Sequence, residues 1–317
     1  MAINVIIPIK DTPPEYFKDC LLSLAIQTKK NFITTVIDDG SSEENKAIYS
    51  SLINDMPFEV IYLENKGIPG PGMARQLGLD KAPAPVDYFT FLDSDDMLYP
   101  RAIELLYTEA KVNKAELVSA NLLAQGRHRS KDGYLIGNEA VSWLTGKAYN
   151  RKFLEDNDIR FIPDVFYAED SYFNLVVFNL VEKNYHIDET IYYWRNNKDS
   201  ATRSKDYVFS EKISLDLYTS QLRGAEKILK HKPNWNIGAI MGVMYAEYQY
   251  AQVREVEEEI LTMEELLKPW LRREDVIEQL RKPEVQTLTY SKLKQDKEGY
   301  IFQESYADWL IRMTAKS

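Results

Sequence analysis

The amino-acid sequence predicts an α/β fold, in which helices flank a mostly parallel sheet, followed by a helical extension. Two observations indicate the sheet: strand-like runs alternate with helix-spaced segments up to about residue 205, and several runs are apolar at almost every position. Strands that alternate with helices are typical of βαβ units with parallel strands. From about residue 207, long amphipathic stretches with few strand signals indicate the extension. We therefore expect one α/β domain over residues 1–205 and a helical part over residues 206–317.

Each element of the α/β domain follows from its local residue pattern. Residues 3–9 are almost continuously apolar, as in a strand that is buried on both faces. Residues 17–27 carry apolar side chains at helical spacing, and residues 32–37 are rich in β-branched residues, which favour a strand. By the same reasoning, helices are predicted over 43–53, 73–79 and 101–113, and strands over 58–63, 88–92 and 116–124.

The second half of the chain predicts fewer strands and longer helices. Residues 147–158 predict a helix, Glu169 and Asp170 open another helix that continues over 172–182, and residues 185–194 predict a strand. Amphipathic helices are then predicted over 210–231, 237–261, 263–270 and 275–280.

Composition and charge restrict the class of protein. The 317 residues carry a formal net charge of −10, which disfavours sequence-independent binding of long nucleic acids. The single cysteine, Cys20, excludes an intrachain disulfide and fits a reducing compartment. The N-terminus lacks a signal-peptide pattern, and no apolar run approaches the roughly 20 residues of a membrane span. We therefore expect a cytoplasmic protein, and peripheral attachment to the inner face of the membrane stays open.

The most informative motif is Asp93-Ser94-Asp95-Asp96, which comes directly after the predicted strand 88–92. Carboxylates at the end of a buried strand are costly unless a positive charge compensates them. Carboxylate oxygens suit Mg²⁺ or Mn²⁺, ions that also bind substrate phosphates. The motif therefore predicts a metal–phosphate site at the carboxyl edge of the sheet, where open α/β folds bind ligands. Taken alone, it also fits a plain turn in which Asp96 caps a helix.

Five short motifs occur in one order along the chain. They are Val5-Ile6-Ile7-Pro8, Val36-Ile37-Asp38-Asp39-Gly40-Ser41, Asn65-Lys66-Gly67 with Ala74-Arg75, Phe91-Leu92-Asp93-Ser94-Asp95-Asp96, and Ala168-Glu169-Asp170. Together they resemble glycosyltransferase family 2 with its GT-A fold, over roughly residues 3–205. The segment 143–174 also resembles the bacterial surface-polysaccharide branch of that family, through Gly146-Lys147-Ala148-Tyr149 and Ile159-Arg160-Phe161-Ile162-Pro163.

This resemblance implies an inverting, metal-dependent transferase that moves a sugar from a nucleoside-diphosphate sugar, foremost a UDP-sugar, to a hydroxyl group. The acceptor is expected to be a glycan or lipid-linked molecule in cell-surface glycan synthesis. The family pattern makes Asp95 the direct ligand of Mn²⁺ or Mg²⁺, with Asp93 nearby and facing the nucleotide sugar. Asp170 is the expected general base, and Glu169 shapes the site. Taken alone, Glu169 and Asp170 also fit carboxylates that stabilise a helix N-terminus.

The same resemblance assigns further residues to the donor. Asp39 is expected to accept hydrogen bonds from a uracil-type N–H or a ribose hydroxyl, and Pro8 begins the loop against which the base lies. Arg75 is expected to bridge the nucleotide and the acidic motif. The donor set is completed by Asn65, Ser94, Arg195 and Arg203, of which the two arginines match phosphate oxygens. For Arg203, a plain surface position is an equal alternative.

Some features depart from the family pattern. The loop 8–11 lacks an aromatic residue, which leaves stacking of the base open, and Gln76 replaces the usual Asn after Arg75. None of His128, His186 and His231 lies in the loop where some relatives place another metal ligand. The metal is therefore expected to depend on water and diphosphate oxygens.

Two other functions stay open. One is a phage-type glycosyltransferase that acts on modified DNA bases, because residues 127–131 and 292–297 carry basic side chains although the overall charge is acidic. The other is a catalytically silent protein that binds sugar nucleotides or acts as a scaffold. For the helical extension, acceptor binding, homo-oligomerisation and contact with a membrane surface all stay open.

Overall fold

In the computed structural model of the chain, residues 2–125, 134–137, 143–197, 213–283, 304 and 306–316 are described. The chain divides into two compact units. We call Met1–Pro163 with Leu180–Ser204 the sheet unit, and Asp164–Asn179 with Lys205–Ser317 the helical unit. The functional division at residue 205 stays a prediction, and the two units are described separately below.

The first half of the sheet unit alternates strands and helices. In chain order these elements are β1 (Ala2–Ile9), α1 (Pro14–Ala25), β2 (Ile33–Asp38), α2 (Glu43–Asn54), β3 (Val60–Glu64), α3 (Pro71–Asp80) and β4 (Val86–Phe91). The four strands pair in parallel in the order β3-β2-β1-β4. The predicted alternation is therefore confirmed, and parallel pairing brings the carboxyl ends of the strands to one edge.

The second half of the sheet unit adds shorter, mixed pairings. Its elements are β5 (Met97–Leu98), α4 (Ala102–Val112), β6 (Leu117–Ala124), β7 (Tyr134–Ile136), β8 (Lys147–Asn150), α5 (Arg151–Asp156) and β9 (Asn184–Trp194). Strand β8 lies antiparallel between β4 and β6, and β9 runs parallel to β6. Strand β5, which directly follows the acidic motif, pairs antiparallel with the end of β9. The motif therefore lies between β4, which precedes it, and β5, which pairs with the end of β9 much later in the chain.

Both faces of the central strand β1 are covered. Ile3, Val5, Ile7 and Ile9 join a buried core with side chains of α1, α2 and α4. Helix α3 packs closely on the other face at Gly78, where an added Cβ would lie 2.7 Å from a methyl carbon of Ile6. Such a close approach requires glycine. It also fixes the helix that carries Arg75 on the sheet.

The prediction of a helix over residues 147–158 is wrong in its first part. Residues Lys147–Asn150 form β8, and the helix begins only at Arg151. Ala148 and Tyr149 are fully buried because strands pair with β8 on both sides. The side chain of Asn150 then accepts a hydrogen bond from the Phe153 backbone N–H at 2.9 Å, which caps the short helix.

The helical unit contains six described helices. They are α6 (Glu169–Leu180), whose last residue belongs to the sheet unit, α7 (Ile213–His231), α8 (Gly238–Val253), α9 (Glu257–Leu271), α10 (Glu274–Leu280) and α11 (Tyr306–Lys316). The predicted single helix over 237–261 is wrong, because Glu255 adopts a φ of 59° and breaks it. The shared core includes Tyr218, Tyr248, Trp270 and Trp309. No helix among the described residues has both the length and the apolar composition needed to cross a membrane.

Candidate active site

Polar groups gather where the parallel strands of the sheet unit end. The Asp39 backbone N–H donates to the Ile9 carbonyl at 2.8 Å, and the Asn65 N–H donates to the Asp38 carbonyl at 2.7 Å. Pro8, near the end of β1, is half-buried and lies opposite Ile37 of β2. This edge therefore brings together residues that follow three strands, as expected for the ligand side of an open α/β sheet.

The carboxylate of Asp39 organises the loop that leads from β3 into α3. One oxygen accepts from Asn65 Nδ2 at 2.6 Å, and the other accepts from the Gly70 backbone N–H at 2.8 Å. Gly70 has a φ of 132°, a conformation that side chains rarely adopt. The structure therefore brings the predicted donor residues Asp39 and Asn65 together, while their contact with a nucleotide stays a prediction.

The neighbouring Asp38 has a different role. Its side chain accepts hydrogen bonds from the backbone N–H groups of Gly40 and Ser41, at 2.9 and 2.7 Å, and from the Tyr62 hydroxyl. Burial and the hydrogen bond to Asp38 raise the pKa of Tyr62 well above its usual value. Asp38 therefore holds the turn that carries Asp39, whereas Asp39 holds the loop before α3.

The acidic motif forms a turn whose side chains alternate between two directions. The Asp96 backbone N–H donates to the Asp93 carbonyl at 3.0 Å. Ser94 and Asp96 are buried, whereas the side chains of Asp93 and Asp95 are partly exposed, with Asp93 at 35%. We call residues Asp93 to Asp96 the acidic turn. Its outward carboxylates are the two that the sequence assigned to the metal.

Arg75 fixes one of the outward carboxylates. It lies on α3 with its side chain almost fully buried, and its Nη2 donates to Asp93 Oδ1 at 2.7 Å. A guanidinium that is desolvated on one side holds a carboxylate more strongly than a solvated pair does. The expected contact of Arg75 with the acidic turn is present, and its contact with the nucleotide stays a prediction.

The inward side chains attach the acidic turn to the protein. The Ser94 hydroxyl lies 2.7 Å from the Thr12 hydroxyl in the loop after β1. Asp96 accepts from the Tyr192 hydroxyl at 2.6 Å and from the Arg195 backbone N–H at 2.7 Å. Asp96 does not cap a helix, because Met97 begins β5 and α4 begins only at Ala102. Burial raises the pKa of Asp96, and the nearby charges of Asp95 and Asp93 raise it further.

The segment after β9 provides further contacts to the acidic turn. Arg195 Nε donates to the Asp95 carbonyl at 2.9 Å, its Nη2 donates to Asp19 on α1 at 2.8 Å, and its guanidinium lies 4.5 Å from the centre of the Tyr16 ring. Asn197 Nδ2 donates to Asp95 Oδ2 at 2.9 Å. The sequence did not predict the contacts of Asp19, Tyr192 and Asn197, because these contacts depend on pairing between distant segments.

Arg195 is thus engaged with protein groups, and its contact with diphosphate stays a prediction. Arg203 lies outside the described residues.

Glu169 and Asp170 occupy the first turn of α6, in the helical unit. Glu169 is buried, and Asp170 is partly exposed with one carboxylate oxygen accepting from the Ser171 backbone N–H at 2.7 Å. Both positions fit carboxylates that stabilise a helix N-terminus. The assignment of Asp170 as a general base stays a prediction.

The acidic turn offers donors of the kind that a hard cation uses. Within the described ranges, no three His, Cys, Asp or Glu side chains are grouped to hold a metal ion. His186, one of the histidines considered from the sequence, lies 2.9 Å from the Ser119 hydroxyl. Mg²⁺ is commonly held by one or two carboxylates together with water and phosphate oxygens. Asp93 and Asp95 would fit an ion of that type, whose other ligands would be water and diphosphate oxygens.

Comparison with known proteins places this geometry in a family. The family model described as Glycosyl transferase family 2 matches residues 4–168. The glycosyltransferase GlyG of Streptococcus pneumoniae serotype 4 is 28% identical over 214 residues, which cover 67% of this chain and 66% of GlyG. For the glycosyltransferase EpsJ of Bacillus subtilis the identity is 25% over 221 residues, with 63% and 62% covered. The matches thus span slightly less than two thirds of the length of these relatives.

A solved structure extends the likeness beyond the matched domain. The poly(ribitol-phosphate) β-N-acetylglucosaminyltransferase TarS of Staphylococcus aureus is 25% identical over 247 residues, which cover 72% of this chain and 42% of TarS. The crystal structure of TarS 1–349 in complex with UDP-GlcNAc matches with a TM-score of 0.69 at 19% identity, and covers 99% of this chain and 90% of that one. This likeness confirms the predicted fold class, a GT-A fold followed by helices.

Proposed function

The chain belongs to glycosyltransferase family 2, and we propose that it transfers a sugar, with inversion and with a divalent cation, from a UDP-sugar to a hydroxyl of a cell-surface glycan. The observation that carries the proposal is the acidic turn, which presents Asp93 and Asp95 at the carboxyl edge of parallel strands. The likeness to TarS, whose name specifies transfer of N-acetylglucosamine to poly(ribitol-phosphate), supports the donor and the acceptor class.

Donor binding is assigned to the edge between β1, β2 and α3. A carboxylate oxygen has two lone pairs and accepts more than one hydrogen bond. Asp39, which already holds Asn65 and Gly70, can therefore also accept from a nucleobase N–H or a ribose hydroxyl. Because those two contacts fix the orientation of the carboxylate before the donor arrives, little conformational freedom is lost on binding.

Departure of the diphosphate is assigned to the acidic turn. Negative charge develops on the leaving oxygen as its bond to the anomeric carbon breaks, and groups fixed in advance stabilise that charge best. A divalent cation held by Asp95 and Asp93 would supply positive charge at this point. Arg75 holds Asp93 in one orientation through the 2.7 Å ion pair. The position of the carboxylates is therefore set by α3 as well as by the turn.

The role of general base, which takes the proton of the attacking acceptor hydroxyl, is assigned to Asp170. In an inverting transfer, the acceptor oxygen forms a bond to the anomeric carbon while the bond from that carbon to the diphosphate breaks. The hydroxyl proton passes to the Asp170 carboxylate, and the diphosphate leaves with the bonding electrons. Glu169, buried beside Asp170 in the first turn of α6, is assigned to shaping this position.

The test is release of UDP from a panel of UDP-sugars with Mn²⁺, with Mg²⁺ and after chelation. We expect chelation to abolish release, Asp95→Asn to weaken the dependence on metal, and Asp170→Asn to lower kcat while donor binding is retained. Asp156→Asn, at an exposed ion pair on α5, is the matched control and should act as the unchanged chain does. Full activity in both Asp95→Asn and Asp170→Asn contradicts the assigned site.

Two further measurements separate this proposal from its alternatives. NMR of the product from an α-linked UDP-sugar should show a β-linkage, and an α-linkage contradicts inversion. Calorimetry that shows donor binding, combined with no turnover on any glycan or lipid-linked acceptor, would support the silent sugar-nucleotide binding protein instead.

A further inference from the structure

We propose that Tyr192 is a positioning residue that acts with Asp96 to orient the outward carboxylates of the acidic turn toward cation and diphosphate. The inference deepens the proposed function and rests on it, because it concerns the same site. Tyr192 touches neither ligand in this assignment, and its effect passes through the backbone of the turn.

The hydroxyl of Tyr192 joins the two ends of the acidic turn. It accepts from the Asp93 backbone N–H at 3.3 Å and donates to Asp96 Oδ2 at 2.6 Å. Tyr192 is fully buried, and Asp96 is 1% exposed. A buried group that loses its hydrogen-bond partner is not rescued by water, so each of these contacts is costly to break. Tyr192 thereby fixes the first residue of the turn relative to the last.

The segment that follows Tyr192 supports the same turn from the other side. The Arg195 backbone N–H donates to the second oxygen of Asp96 at 2.7 Å, and Arg195 Nε donates to the Asp95 carbonyl at 2.9 Å. Residues 92–96 have no regular helix or strand of their own, so the backbone course of the turn depends on such contacts. The orientation of Asp93 and Asp95 therefore depends on the end of β9.

The ring and the hydroxyl of Tyr192 have separable roles. The ring belongs to the buried core of the sheet unit, whereas both hydrogen bonds of the hydroxyl go to the acidic turn. Tyr192→Phe keeps the ring and removes those two bonds. The strand should therefore remain packed while the turn gains freedom. Loss of groups that orient metal ligands typically lowers metal affinity or activity about 10-fold to 100-fold.

The test compares Tyr192→Phe with Tyr193→Phe in the full chain. Tyr193 is the next residue of β9, points to the opposite side of the strand, and pairs with Met97. Calorimetry would measure the Kd of UDP with and without Mn²⁺, and paramagnetic resonance of free Mn²⁺ would measure metal affinity. We expect Tyr192→Phe to raise the Kd for UDP with Mn²⁺ about 10-fold to 100-fold, and Tyr193→Phe to leave it within about two-fold.

A purely structural role of Tyr192 would instead lower the Tm without ligand and leave the Kd values of the folded protein unchanged, which overturns the inference. A second variant, Asp96→Asn, keeps one acceptor oxygen and the shape of the side chain. It should raise the same Kd by a smaller factor, and an unchanged Kd counts against the inference even if Tyr192→Phe fails to fold. Failure of the unchanged chain to bind any UDP-sugar overturns the proposed function. Normal binding by the unchanged chain and by both variants overturns only the role of Tyr192.

Discussion

The sheet unit and the helical unit both contain clustered charges, but the clusters differ in where their carboxylates point. In the helical unit, Arg312 donates to both oxygens of Glu304 at 2.8 Å, to Glu264 at 3.0 Å and to the Tyr248 hydroxyl at 3.1 Å. Tyr248 in turn donates to Glu264 at 2.7 Å. Each charged group of this cluster is bonded to another member of the cluster. These bonds join α8, α9 and α11.

The acidic turn has a different arrangement. The side chain of Asp96 is directed inward, those of Asp93 and Asp95 are partly exposed, and Arg75 forms an ion pair with Asp93. Hydrogen bonds from Tyr192, Arg195 and Asn197 orient the carboxylates further. Similar residue types therefore join helices in one unit and, under the proposed function, orient carboxylates for a cation in the other. The arrangement of the partners, rather than the presence of charge, separates the two roles.

The comparison predicts that removing an arginine from the sheet edge affects activity most. Arg75→Met releases Asp93, so we expect kcat/KM to fall about 100-fold, which corresponds to about 2.7 kcal/mol of transition-state stabilisation. Steady-state release of UDP measures this effect. Arg160→Met is the matched control, because Arg160 forms a half-exposed ion pair with Asp80 at the other end of α3. This variant should change kcat/KM less than about two-fold. Equal losses in both variants would mean that the location of the ion pair does not matter.

The helical cluster should show the reverse behaviour. Arg312→Met leaves Glu264 and Glu304 without their shared cation, and we expect it to lower the free energy of unfolding by about 1–2 kcal/mol, since the group is partly exposed. The Kd for UDP should stay the same. Urea unfolding and calorimetry measure the two quantities. Arg273→Met, which breaks a solvated pair with Asp275, should lower stability by less than about 0.5 kcal/mol. A loss of UDP affinity in Arg312→Met contradicts the separation of roles.

These two regions also differ in how much the sequence could predict. Parallel strands share a carboxyl edge, so the positions of Asp39, Asn65 and Asp93 at that edge follow from the local patterns. By contrast, Tyr192 is 96 residues from Asp96 along the chain, and no local pattern indicates that their side chains meet. The first part of the helix predicted over 147–158 is wrong for a related reason, because residues 147–150 form a strand only through pairing with β4 and β6.

High pH should lower the stability of the helical unit through ionisation of Tyr248. Burial, together with the hydrogen bond to Glu264, raises the pKa of Tyr248 to about 12. A tyrosine in the unfolded chain ionises near pH 10. The folded state therefore keeps a proton that the unfolded state loses, so this contribution to stability is complete below about pH 10 and is lost as the pH rises toward 12.

We expect the free energy of unfolding to fall by about 1–2 kcal/mol over this window, and Tyr248→Phe to flatten the fall. Urea unfolding at several alkaline pH values measures both effects. Tyr99→Phe, at an exposed position of the sheet unit, is the control and should leave the slope unchanged. If Tyr248→Phe loses stability with rising pH as steeply as the unchanged chain does, the loss is due to another group.

The smallest effect is expected for Asp11, whose carboxylate accepts hydrogen bonds from the start of α2. The Asp11 carboxylate accepts from the Ser42 backbone N–H at 2.9 Å and from Asn45 Nδ2 at 2.8 Å, and these bonds lower the pKa of Asp11 below its usual 3.8. A lowered pKa means that the contribution to stability is present above pH 3.8 and is lost as the pH falls further through the folded-state pKa.

Asp11→Asn keeps the size of the side chain and tolerates the φ of 45° at this position, so it removes mainly the charge. Because Asp11 is exposed, we expect a loss of no more than about 0.5 kcal/mol at neutral pH. Urea unfolding of both proteins at pH 7, 5 and 3 measures the gap, which should be smaller at pH 3 than at pH 7, because the unfolded chain takes up a proton at Asp11 below about pH 3.8. A gap that widens on acidification would show that the hydrogen bonds from Ser42 and Asn45 do not stabilise the charged form of Asp11.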